Sequence, residues 1–320
     1  MKIKSSAPAR IDLSGGAADL FGKCTLCCAV SLRTYTHIHN DRSESAVFIE
    51  GNPTPLQNVP LIEAVIARAQ ITPSQFTLHI HSDIPHSSGL GGSAALGVSL
   101  LQGLTLLQKK EITPYELAEQ TQRAESDLGN LNGYQDWYAT AFGGILFLDF
   151  KNKTPHPDKD EPYATVEDLT SYGDSLRFVV ADTQIDHDST VSNRHLYTSY
   201  MNGNEKIKSL IDTLDTITRD AKKALIWKDI ELLGQIIEKN QEIIRYFGRS
   251  LPENERLIQS ALSGGALACK VTGAGLGGCV AALCSGKIMQ QSVTDALLEE
   301  TDAVYPVQID TGAVAESVEE

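Results

Sequence analysis

The chain has 320 residues, 42% of them hydrophobic and 21% charged, with a formal net charge of −14. That length gives room for about two domains with full cores, and the balance is that of a soluble globular protein, neither disordered nor membrane-embedded. The acidic excess argues against a nucleic-acid partner, and it means that an anionic substrate needs a local positive site from helix ends, a few basic residues or a metal.

The first residues, MKIKSSAPARIDL, lack the apolar region of a secretion signal, and no later run reaches membrane-spanning length, so the sequence reads as cytoplasmic with no membrane partner. Cys24 and Cys27 have a ligand-like spacing, but no second such pair or paired histidines follow to close a tetrahedral site. Cys27 and Cys28 open the apolar stretch CCAVSL, so the cysteines read as reduced and structural.

Alternation at 31–39 (SLRTYTHIH) and 76–81 (FTLHIH) predicts half-buried strands. Helical spacing covers 61–69, and 115–123 behind Pro114, which suits a first helical turn. Residues 143–150 return to strand. The polar stretch 151–175 marks a boundary between a first domain, 1–175, and a second, 176–320. Beyond it come a strand at 176–181, helix from 205 to 247 with a break near 227–229, a helix at 253–262 and strands at 266–272 and 279–284. A helix at 291–300, a strand at 304–309 and a frayed tail, GAVAESVEE, complete the chain. Strands and helices interleave in both halves, which gives an α+β fold of two lobes.

Three glycine-bearing segments are distributed over this plan: 7–19 (APARIDLSGGAAD), 85–95 (PHSSGLGGSAA) and 270–279 (KVTGAGLGGC). In the second, Gly89, Gly91 and Gly92 precede an apolar helical run, 94–107. Glycine lets backbone approach a ligand closely, and a helix N-terminus offers unpaired N–H groups and partial positive charge, so a polyphosphate is the natural guest. In the third, Gly273, Gly275 and Gly278 satisfy G-x-G-x-x-G, but the strand-like CVAALC follows where a dinucleotide-binding fingerprint needs a helix. No G-x-x-x-x-G-K-[ST] is present.

In order and spacing the three segments resemble the signature motifs of the GHMP kinase superfamily, and the resemblance spans essentially the whole chain. It implies an N-terminal lobe of mixed βαβ units, a ferredoxin-like C-terminal lobe, and a cleft that takes ATP, Mg²⁺ and a small-molecule acceptor. By that resemblance the nucleotide phosphates fall to Pro85, Ser87, Ser88, Gly89, Leu90, Gly91, Gly92, Ser93 and Ala94, with Gly273 and Gly275 approaching from the other lobe. Ser93 and Glu125 match the Mg²⁺ ligands, and Asp136 matches the acid that faces the acceptor hydroxyl, as base or as electrostatic anchor. Arg10 is the cation supplied near the reacting phosphoryl group. Gly15, Gly16, Asp19 and Gly277 are expected at the acceptor. Each has a plain structural alternative: Ser93 a helix cap, Glu125 a solvated helix-end acid, Asp136 a turn cap, Arg10 a surface strand residue.

Within the superfamily, RIDLSGGAAD carries Asp19 where sugar kinases bind substrate hydroxyls, and Gly16-Ala17 where galactokinase has a Glu-His pair. The pattern resembles the L-fucose kinase and heptose 7-phosphate kinase branches, which implies transfer to the anomeric hydroxyl of a sugar or sugar phosphate. A polar cluster of Asp182, Asp186, His187 and Asp188 follows the strand at 176–181 and reads either as sugar pocket or as solvated loop. A galactokinase-like enzyme, a small-alcohol kinase of the mevalonate or homoserine kind and a non-catalytic sugar- and ATP-binding regulator stand as alternatives, and the protein is expected as a monomer or homodimer.

Overall fold

β1 (Lys2–Ser14) and β2 (Cys24–His39) form a long antiparallel hairpin joined through a short 3-10 helix, Gly16–Phe21. The computed structural model describes residues 2–40, 46–71, 76–153, 162–186 and 189–318. The β1–β2 register slips between Pro8 and Ala9, where proline has no N–H for the ladder, and again between Asp12 and Ser14. β2 is long enough to serve two neighbours on one edge. Its first part, Cys24–Cys28, pairs with β6 (Ile145–Asp149), and its last part, from Thr34, pairs with β5 (Thr77–Ser82). β3 (Ala46–Ile49), β4 (Asn52–Pro53) and β7 (Thr165–Asp168) extend the same sheet.

A second sheet is built from β8 (Arg177–Asp182), β9 (Ala268–Val271), β10 (Cys279–Cys284) and β11 (Val304–Val307). All its pairs are antiparallel and its order is β11-β8-β10-β9, which is 4-1-3-2 in chain order, the ferredoxin-like arrangement. The tail expected to fray is instead β12 (Val314–Val318), paired with Lys2–Ser6 at the edge of the first sheet. Backbone pairing holds it, since most of its side chains stay exposed. Arg33 fixes its approach by donating to the Asp310 carboxylate and to the carbonyls of Thr311 and Gly312. The chain end thus returns to the first sheet, and 176–320 is not one lobe throughout.

The helices are α1 (Pro60–Arg68), α2 (Gly92–Leu107), α3 (Pro114–Ser126), α4 (Gln135–Phe142) and α5 (Thr170–Gly173) in the first half. The second half has α6 (Ser189–Met201), α7 (Glu205–Ile226), α8 (Ile230–Tyr246), α9 (Pro252–Ser263) and α10 (Lys287–Leu298). The expected break at 227–229 is present, with Asp229 capping α8 through the Leu232 N–H. α6 occupies a stretch, 189–201, to which the sequence reading assigned no element. One apolar core lies under α1–α4; another is shared by the two sheets, where Ile11 and Leu13 of β1 meet Phe178, Val180 and Leu283. That shared core fixes the lobes against each other. All six cysteines are free and buried in these layers, and among the described residues no helix is long and apolar enough to cross a membrane.

Candidate active site

The second and third glycine segments, one from each sheet's territory, touch. Gly89 has φ +74° and Gly273 φ +77°; a Cβ on the first would lie 2.6 Å from the Thr272 carbonyl oxygen, and on the second 2.5 Å from that of Gly89. Only glycine fits either position. α2 starts at Gly92, two residues ahead of the expected run, because Gly91 in the left-handed region (φ 75°) forms its N-cap. Ser93 is therefore inside the first turn and not the cap, and its exposed hydroxyl faces the cleft beside an N-terminus that no side chain caps.

A cleft of about 810 Å³ opens at this junction. Arg10, only 4% exposed, reaches it from β1 and grips Asp136 with two prongs, Nε to Oδ1 and Nη2 to Oδ2, both 2.7 Å. Nη1 donates to the Gly89 carbonyl, and the Arg10 backbone N–H donates to Leu90 O at 2.9 Å. Burial opposes the guanidinium's charge, but Asp136, with Asp12 behind it, more than restores it, so its pKa stands above the ordinary value. The surface-residue alternative for Arg10 is excluded.

Asp136 occupies the first turn of α4, a helix the sequence reading did not anticipate. Its N-terminus is capped from 115 residues away: Asp19 Oδ2 accepts from the backbone N–H groups of Tyr134 (2.8 Å) and Gln135 (3.0 Å), and Oδ1 from Leu20 (2.8 Å). Gly133 passes so close that an added Cβ would overlap the Asp19 carboxylate. Burial raises the Asp19 pKa to about 6, against those backbone hydrogen bonds and with the Asp136 charge adding to the rise.

Glu125, in the last turn of α3, lines the cleft with one carboxylate oxygen near Asn130 Nδ2 (3.3 Å) and the other, Oε2, buried without a hydrogen-bond partner among the described residues. Burial pushes its pKa to about 7. It is not a solvated helix-end acid. Among the described residues no three His, Cys, Asp or Glu side chains converge as a metal cage. An orphaned hard oxygen with a serine hydroxyl nearby in the cleft nevertheless suits Mg²⁺, which takes few protein ligands and keeps its phosphates and waters.

Pro85, Ser87, Ser88, Gly89, Gly91, Gly92, Ser93, Ala94, Gly273, Gly16 and Asp19 line the cleft as expected. Four expected residues do not. Leu90 is fully buried in the inter-sheet core, and Gly275 lies against the Arg249 backbone. Gly15 backs onto Cys24 and donates its N–H to Asn240 (2.9 Å), while Gly277 backs onto the Ile185 carbonyl. Asp182 is buried at the end of β8 and accepts from Gln184 N (2.9 Å), away from the cleft; Asp186 is exposed; His187 and Asp188 lie outside the described residues.

Sequence reasoning missed two residues. Asp12 and Lys270 form a wholly buried ion pair that joins the first motif to the third. Asp12 also accepts from Gly273 N (2.9 Å), and its own N–H donates to Thr272 Oγ1 (3.2 Å). The available signal was a lysine inside the otherwise apolar strand ACKV and an aspartate set between the apolar Ile11 and Leu13.

The descriptions "GHMP kinases N terminal domain" and "GHMP kinases C terminal" match residues 56–144 and 221–301. A mevalonate kinase of Methanothermobacter thermautotrophicus is 26% identical over 89% of this chain and 91% of its own length. A D-glycero-alpha-D-manno-heptose 7-phosphate kinase of Campylobacter jejuni is 28% identical over 86% and 87%. The crystal structure of L. major mevalonate kinase with R-mevalonate superposes with a TM-score of 0.78 at 19% identity, covering 96% of each chain. With both halves matched in order, and with a ferredoxin-like second sheet whose glycine loop meets that of the first, the chain belongs to the GHMP kinases, a family of phosphotransferases that act from ATP on an alcohol group.

Proposed function

We propose that this protein transfers the γ-phosphoryl group of ATP to a hydroxyl of a sugar or sugar phosphate, at the anomeric position. The observation that carries the reading is the convergence, in one cleft, of the paired Arg10–Asp136, the orphaned Glu125 oxygen and the uncapped start of α2. On this reading residues 1–175, completed by β12, hold the phosphates and the reacting groups, and the rest of the chain brings the third glycine loop.

The chemistry follows from the placement. Backbone N–H groups at the start of α2 and the 85–91 turn would cradle the phosphates, and the apolar end of the cleft, at Ile49, Ile80 and Ile84, offers the base a wall. Asp136 keeps free lone pairs on the oxygens Arg10 fixes, so it can orient the acceptor hydroxyl and take its proton as the new P–O bond forms. Arg10 holds that carboxylate in one rotamer and lies close enough to the phosphate turn to offset charge on the transferred group. Glu125 and Ser93 are the residues that would hold Mg²⁺, whose role is to neutralise phosphate charge and keep the terminal group in line.

A mevalonate-type acceptor is the second reading. The sequence argument against it was Asp19, read as a ligand of sugar hydroxyls. In the structure the Asp19 carboxylate is engaged by three backbone N–H groups. Coupled ADP release across fucose, galactose, mannose, glucuronate, heptose 7-phosphate, mevalonate and homoserine tests both. Turnover only with the last two would replace the sugar reading, and tight ATP binding with no turnover at all would favour a regulator.

A further inference from the structure

Six buried side-chain atoms lack a hydrogen-bond partner among the described residues, and two of them belong to residues that line the cleft: Glu125 Oε2 and Gln135 Oε1. The first is accounted for by its place at the candidate metal site. The second has no part in the chemistry derived above. Gln135 is only 3% exposed, and its backbone is pinned, because its N–H donates to Asp19 Oδ2 (3.0 Å) at the start of α4.

Among the described residues three amide side chains line the cleft, and the other two are engaged. Asn193 Nδ2 donates to Leu131 O (3.3 Å) and its Oδ1 accepts from Arg249 Nη2 (3.3 Å), while Asn132 hydrogen-bonds the Glu125 carboxylate. Gln135 is the one left with an unused acceptor. A buried amide oxygen without a donor is unfavourable, and in a binding cleft a ligand that brings the donor relieves it. Ionised phosphates and carboxylates have no proton to donate; a hydroxyl has. Gln135 directly precedes Asp136, and both line the cleft. Consecutive Cα atoms lie about 3.8 Å apart, close enough for the two side chains to take hydroxyls on neighbouring carbons of one ring.

We infer that Gln135 selects the acceptor by taking a hydrogen bond from a second hydroxyl, on the carbon next to the one that is phosphorylated. For transfer to the anomeric oxygen of an aldose, that is the 2-hydroxyl. The inference rests on the sugar-kinase reading of the cleft. A site that accepts from a substrate hydroxyl discriminates against the analogue lacking it, because the buried oxygen is again left unpaired. The test is kcat/KM at saturating ATP for the wild type and Q135L. Each is assayed with whichever of mannose, galactose, fucose and heptose 7-phosphate turns over fastest, and with the 2-deoxy form of that sugar. The wild type is expected to prefer the parent sugar by about 10- to 100-fold. Q135L is expected to abolish the preference by lowering kcat/KM for the parent alone, with the 2-deoxy sugar and the KM for ATP unchanged. Since it removes an unsatisfied acceptor at similar volume, Q135L should melt no lower than the wild type. A wild type indifferent to the 2-hydroxyl, or a preference that survives in Q135L, overturns the inference. So does a Q135L protein that melts several degrees lower and loses both sugars equally, since Gln135 would then serve the fold. Turnover with mevalonate or homoserine alone, or with no acceptor at all, overturns the sugar-kinase reading itself and this inference with it.

Discussion

Asp19 caps the helix that carries Asp136. One carboxylate oxygen takes the N–H groups of Tyr134 and Gln135, the residues immediately ahead of Asp136 at the start of α4. The acid of the first motif therefore determines where the candidate base stands. It also keeps a negative charge at a helix N-terminus, which favours the helix.

Replacing Asp19 separates this role from direct sugar binding. D19N keeps an acceptor oxygen for the two N–H groups and is expected to melt near the wild type. D19A removes the cap, costs about 1–2 kcal/mol and lowers kcat as α4 loosens. Thermal melts with steady-state kinetics check it. A D19N protein of normal stability and normal kcat but a much raised acceptor KM would assign Asp19 to the substrate.

D136N should reduce kcat by about 10²- to 10⁴-fold while ATP still binds, because it removes the proton acceptor and loosens the grip of Arg10. Single-turnover rates and nucleotide titration measure the two separately. Near-normal turnover would remove Asp136 from the mechanism.

On the proposed reading, Glu125 would make the metal requirement pH-dependent. With its pKa raised by burial to about 7, the carboxylate loses its charge as pH falls below that value, and the Mg²⁺ concentration for half-maximal rate should rise. In metal-free protein the sign for stability is the opposite. A folded pKa above the ordinary 4.5 favours the protonated form, so its contribution is full below about 4.5 and is lost as pH rises through about 7. Melting temperature should accordingly fall more between about pH 5 and pH 8 in the wild type than in E125Q. Parallel slopes would show that Glu125 does not titrate there.

The buried Asp12–Lys270 pair yields a stability prediction. K270M leaves the Asp12 carboxylate without its partner and is expected to cost about 3–5 kcal/mol, whereas D12N/K270M, with no charge left behind, should recover most of it. Denaturant melts of the two variants decide this. Equal losses would mean that the pair's geometry matters more than its charge balance.

Sequence alone determined the elements whose signals are local. The helix behind Pro114 carries its own capping box at Thr113 and Glu116, the α7–α8 break carries Asp229, and the two glycine loops carry residues that only close backbone approach requires. Those signals ordered the motifs, and the resemblance to the GHMP kinases that the motifs carry assigned Arg10, Ser93, Glu125 and Asp136 to one proposed site. Tertiary structure decided whatever depends on a partner far along the chain. α4 is eight residues long and takes its cap from Asp19, and β12 is held by the bare edge of β1. A residue's local propensity is written beside it, but the group that satisfies a buried charge or a helix end can come from any point in the chain, and only the folded backbone brings the two together.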